Sequence, residues 1–180
     1  HRRLANGLEI VVVEKREMPV VSLGLFLKGG ATNDPPGKPG LASFTAQMLQ
    51  EGTESRSSQD LALAFEFMGA HLSTDARREY AVLSTETMTK HWPDALDLMG
   101  DVLKNPTFPQ HELERVKREH LTDLRRGKDD ANVVADRLIS TMVFETDSGY
   151  GHPLEGTEDA VDSFTREDIK NHFDQNYAPI

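Results

Sequence analysis

One interruption constrains this chain more than any other feature: Asp34-Pro35-Pro36-Gly37-Lys38-Pro39-Gly40. Three prolines remove backbone donors and fix φ, and two glycines favour turns, so neither a helix nor a central strand can run through it. Its two flanks must therefore be separate elements. Ahead of it, Val20 to Lys28 is strand-like, with Pro19 where a strand tolerates proline and Gly29-Gly30 as its exit. Behind it, Leu41, Ala42, Phe44, Met48 and Leu49 fall on one helical stripe within Leu41 to Gln50. The frame is strand, stiff loop, helix.

The rest of the chain extends that frame. Leu8 to Glu14 follows the turn signal Asn6-Gly7 and is rich in valine, which predicts a first strand. Ser57 to Met68 reads as a second helix with Ser57 and Asp60 as a capping box, stopped by Gly69. Leu72 to Asp75 and Tyr80 to Glu86 read as two strands. Helices follow over His91 to Leu103, Pro109 to Gly127, Ala131 to Phe144 and Thr165 to Phe173, the last with Thr165 and Asp168 repeating the box. Two strands, two helices, two strands and a run of helices define an α+β fold, a mostly antiparallel sheet backed by helices on one face.

Composition excludes several classes of function. The 180 residues carry a net charge of −10, with lysine and arginine scattered, which disfavours a phosphate backbone as partner and argues against nucleic acid. There is no cysteine, so thiol catalysis, cysteine zinc sites and disulfides are ruled out. No apolar run approaches the ~20 residues needed for a membrane span. There is no Gly-x-Ser-x-Gly elbow, and Gly29-Gly30 and Gly149-x-Gly151 lack the spacing of a phosphate loop.

Several histidines invite a metal reading, and each has a plainer one. His111-Glu112-Leu113-Glu114-Arg115 begins like His-Glu-x-x-His but ends on arginine, as a solvated helix start would. Glu119, His120 and Asp123 share part of one helix face, yet His120 also fits the apolar stripe of Leu113, Val116, Leu121 and Leu124. His152 sits in a glycine-rich turn. His71 and His91 have no partners at ligand spacing.

In order along nearly the whole chain, Asn6-Gly7-Leu8, Gly40-Leu41-Ala42, Met48-Leu49 with Gly52-Thr53, Gly69-Ala70, the helix from Pro109 and the run Gly149 to Thr157 form a series. That series resembles the insulinase, pitrilysin and mitochondrial processing-peptidase family of zinc metallopeptidases. The resemblance implies a processing-peptidase-like metallohydrolase domain. Residues 1–180 would then be a single N-terminal domain, truncated at its C-terminal end and part of a longer chain.

Active members carry His-x-x-Glu-His on the first helix: two histidines four apart grip one ion and the glutamate activates water. By the resemblance, the histidine positions here are Ser43 and Gln47, the glutamate position is Ala46, and the distant carboxylate ligand is Asp123. A hydroxyl, an amide and a methyl replace the chemistry, so no metal or other cofactor and no catalytic residue is expected. What the family then implies is a non-catalytic subunit that pairs with an active zinc-peptidase subunit, or with a second peptidase-like domain, and helps enclose a peptide chamber. Leu72, Ser73, Thr74 and Asp75 match the strand to which peptides add in active relatives. Two alternatives stay open: a metal-dependent peptidase using Asp123 with Glu119 or His120, and a structural scaffold subunit. The bacterial members it resembles suggest the periplasm or secretion.

Overall fold

A computed structural model describes residues 1–145 and 148–177. Three strands make the main sheet: β3 (Val20–Leu27), β4 (Ser73–Ala76) and β5 (Ala81–Met88), in the antiparallel order β3-β5-β4. Two-residue strands β1 (Arg2–Arg3) and β2 (Glu9–Ile10) form a separate ladder. Seven helices follow the order α1 (Leu41–Met48), α2 (Ser58–Phe67), α3 (Trp92–Lys104), α4 (Gln110–Arg126), α5 (Ala131–Val143), α6 (Glu158–Ser163) and α7 (Arg166–Asn176). The α+β class expected from the sequence holds.

Strand side chains alternate between the two faces, and the inner face of β5 supplies Ala81, Leu83, Thr85 and Thr87 to the interior. Against it sits one continuous core: Leu41, Phe44 and Met48 of α1, Leu61 and Phe65 of α2, Val102 of α3, Leu113 of α4, Val161 of α6 and Ile169 of α7. Phe44 is its centre, edge-on to both Phe164 and His120 at ring separations of 5.4 and 5.7 Å.

Both caps appear, with an instructive difference. Thr165 accepts from the Asp168 amide while Asp168 accepts from the Thr165 amide at 2.9 Å, a complete reciprocal box. Ser57 likewise accepts from the Asp60 amide, but the Asp60 carboxylate returns to the Ser57 hydroxyl, not to its backbone. Helix α6 was not foreseen in the sequence. Only six residues long, it starts on Thr157, whose hydroxyl accepts from the Ala160 amide.

The strand expected over Leu8 to Glu14 is corrected. Only Glu9–Ile10 pairs, and Val11, Val12 and Val13 lie outside any ladder with 69–83% of their surface exposed. A valine run favours extended backbone, but a strand exists only where a neighbour satisfies its amides and carbonyls. Among the described residues none is in register with these three.

Candidate functional site

Helix α1 is placed by an uncommon cap. Its N-cap residue, Gly40, adopts φ +89° and has no side chain to offer the first free amides. Asp34, six residues upstream across the proline-rich loop, substitutes. Its two carboxylate oxygens accept from the amides of Gly40 and Ala42, each at 2.7 Å. That side chain is almost wholly buried. Burial raises its pKa to about 6 against the opposing pull of the two amides, His152 and Arg78. The stiff loop is thus the device that aims a carboxylate at the helix start.

Once α1 is fixed, its C-terminal turn faces α4. Gln47 is half-buried, and its amide lies 3.2 Å from Nδ1 of His120. The other ring nitrogen, Nε2, is 2.7 Å from the carbonyl of Glu155. A carbonyl only accepts, so Nε2 carries a proton, and Nδ1 shares its hydrogen bond with the side-chain amide of Gln47. Three segments are joined by this relay: α1, α4 and the loop ahead of α6. His120 itself is buried, in keeping with its place on the apolar stripe.

The other expected site residues fall as follows. Ser43 is half-buried, and Ala46 has no exposed surface at all. Asp123 is exposed and its carboxylate is 3.4 Å from Arg126. Glu119 pairs with Arg115 at 2.8 Å, and Arg115 also engages Glu112 and Glu51. His111 is an exposed helix-start residue, and His71 is exposed. Among the described residues, no group of three or more histidine, aspartate or glutamate side chains is arranged to hold a metal ion.

The donor set does not fit zinc. Zinc takes deprotonated or imidazole ligands with a free lone pair. Here Ser43 offers a neutral hydroxyl, Gln47 a neutral amide already bonded, and both nitrogens of His120 are engaged. Ala46 offers no proton acceptor. The first helix keeps six residues buried, Ala46 among them, and leaves only Ser43 and Gln47 half-covered.

β4 begins at Ser73, one residue later than expected, and ends at Ala76. Among the described residues it pairs with β5 on one side only, which makes it a sheet edge. Leu72 points into the core, and Thr74 accepts from Gln50 at 2.7 Å. Sequence reasoning missed Asp34 as an organising residue. The signal was present, because an aspartate ahead of a proline-rich turn and a glycine-started helix is a candidate for long-range capping. It also gave no role to Arg78, whose guanidinium bridges two carbonyls of the loop ahead of α6.

A three-stranded antiparallel sheet packed on a helix layer makes an α+β domain, and its first helix, α1, carries no His-x-x-Glu-His sequence. The family profile for insulinase, peptidase family M16, matches residues 9–158, and the chain belongs to that family. It is 24% identical over 97% of its length to an uncharacterized zinc protease of Bacillus subtilis, covering 42% of that protein. It is 29% identical over 97% of its length to the beta subunit of the rat mitochondrial-processing peptidase, covering 35% of that protein. A solved inactive domain of an M16 peptidase from Pseudomonas fluorescens superposes with a TM-score of 0.86 at 28% identity, over 95% of this chain and 42% of that one. A Helicobacter pylori protease shares the fold, with a TM-score of 0.81 at 16% identity over 90% of this chain and 39% of that one. The chain therefore spans less than half the length of these relatives.

Proposed function

We propose that this chain is a non-catalytic M16 domain that pairs with an active zinc-binding subunit or a second peptidase-like domain and helps enclose a peptide chamber. The observation that carries the reading is the first helix: the position for a water-activating glutamate is Ala46, fully buried, and Gln47 is tied to His120. The likeness to a domain described as inactive, and to one subunit of a processing peptidase, supports it. The free edge of β4, through Ser73, Thr74 and Asp75, is where an extended peptide would add as a strand, since addition needs only unpaired backbone groups.

The alternative of a peptidase with unusual ligands draws on Glu119, His120 and Asp123. Each of those side chains already has another partner. The test is metal analysis of the purified protein after dialysis, alongside peptide cleavage with and without added zinc. We expect no stoichiometric metal and no cleavage. Zinc-dependent cleavage abolished by Asp123→Ala would overturn the proposal. A partner complex that binds partner but never peptide would favour a scaffold role instead. The periplasmic or secreted location is likewise proposed, and fractionation of the native host checks it.

A further inference from the structure

The segment from Ser148 to Thr157, between α5 and α6, lies across the start of α1 and is fixed there by side chains from separate elements. Arg78, in the turn joining β4 and β5, donates to the carbonyls of Gly149 at 3.2 Å and His152 at 2.6 Å. His120 of α4 donates to the Glu155 carbonyl at 2.7 Å. His152 Nε2 lies 3.9 Å from the buried carboxylate of Asp34, and the Tyr150 hydroxyl donates to Glu79.

The contacts are also backbone-close. A Cβ at Gly149 would fall 2.4 Å from Cα of Thr32, and one at Gly40 would fall 2.6 Å from Cα of Gly156. Few hydrogen bonds among the described residues are internal to this segment: Gly151 donates to the Ser148 carbonyl and hydroxyl, Gly156 donates to the Pro153 carbonyl, and His152 Nδ1 lies 3.2 Å from that same carbonyl. Its place therefore depends on what it is latched to. On one side it continues into α6, which is packed through Ala160 and Val161. Ahead of it lies α5, which buries none of its residues. Held by a packed helix at one end and, among the described residues, by Ser148 on the Glu145 carbonyl and the Phe144–Tyr150 ring contact at the other, it has the construction of a strap.

We propose that residues 148–157 are a releasable strap closing the seam between α1 and α4, with Arg78 as its main latch. Released, it withdraws the Glu155 carbonyl from His120 and presents Gln47 and His120 to solvent or to an incoming chain. The inference stands on this geometry and does not depend on the peptidase reading. Local openings of this kind proceed from segments with few buried apolar contacts, while the core stays folded.

Two variants test it by different routes. Arg78→Ala removes the latch, and Gly149→Ala leaves every hydrogen bond chemically possible but drives a methyl into the Thr32 backbone. Hydrogen exchange of the strap amides Gly151 and Gly156 is measured against those of β5. Carbethoxylation of His120 by diethyl pyrocarbonate, mapped by mass spectrometry, reports the seam, because the reagent needs a free ring nitrogen. Both variants are expected to raise strap exchange and His120 modification about tenfold or more, with β5 unchanged, as loss of one bridging interaction implies. Unchanged strap and His120 rates in Gly149→Ala would overturn the proposal. So would a rise of equal size throughout the sheet, which would make the segment part of the core.

Discussion

Helices α1 and α5 are both apolar enough to expect burial, and they end in opposite situations. Six of the eight residues of α1 are buried, and its remaining side chains Ser43 and Gln47 are half-covered. In α5 no residue is buried, and Leu138, Ile139, Met142 and Val143 keep 55–83% of their surface exposed. The difference is not in the helices themselves. α1 begins at a loop that positions Asp34, is crossed by α4 and α7, and has the strap laid over its start. Among the described residues, α5 receives one side-chain hydrogen bond from outside the helix, from Arg78 to Ser140 at 3.4 Å, and Phe144 just past its end makes a tilted ring contact with Tyr150. Burial is conferred by neighbours, and an amphipathic pattern states only that a neighbour is wanted.

The strongest test of that contrast is Ala46→Glu, which places a carboxyl group at a position with no exposed surface. A carboxyl buried there must be desolvated or held protonated, a cost on the order of 3 kcal/mol. We expect urea denaturation to show a loss of that size or no cooperative transition. If the variant folds with wild-type stability, α1 is not sealed. Phe44→Ala comes next. It removes the ring between Phe164 and His120 and should cost about 3–5 kcal/mol, read by the same denaturation.

The interior also holds two groups whose titrations oppose each other. His172 of α7 is buried, its Nε2 has no partner among the described residues, and desolvation lowers its pKa to about 4. The unfolded chain binds that proton more readily between pH 6.5 and about 4, so this histidine removes stability as the pH falls through that window. Asp34, raised to about 6, does the reverse: the folded form holds the proton more tightly between about 6 and 3.8, so stability falls as the pH rises. Each effect is on the order of 2–3 kcal/mol, and together they flatten the profile. In His172→Phe only the Asp34 effect remains of this pair, so stability should decline from pH 4 to pH 6. A profile identical to wild type would remove His172 from this account.

Much of this was legible in the sequence. Prolines and glycines from Asp34 to Gly40 separate β3 from α1, the Thr165 box marks the start of α7, and the stripe through His120 predicts its burial. That Ser43, Ala46 and Gln47 are not histidine or glutamate is a matter of residue type and needs no coordinates. What periodicity does not encode is pairing across long separations. Asp34 reaching back to α1, Arg78 reaching the strap, and Gln47 meeting His120 are all products of packing. The same limit explains Val11 to Val13, where strand propensity is strong and a partner strand is missing among the described residues.

The smallest effect belongs to α5, and it is the sharpest comparison. Leu138→Ala deletes as much hydrocarbon as a core truncation would, yet the side chain is more than half exposed. Its removal should move stability by no more than about 0.5 kcal/mol, against the several lost at Phe44. Leu138→Glu with Met142→Glu should likewise leave the unfolding midpoint in place while lowering self-association in sedimentation, because exposed apolar surface is what drives it. A fall in stability of 2 kcal/mol or more in the isolated domain would mean that α5 is already covered from within. The contrast between the two helices would then be one of degree.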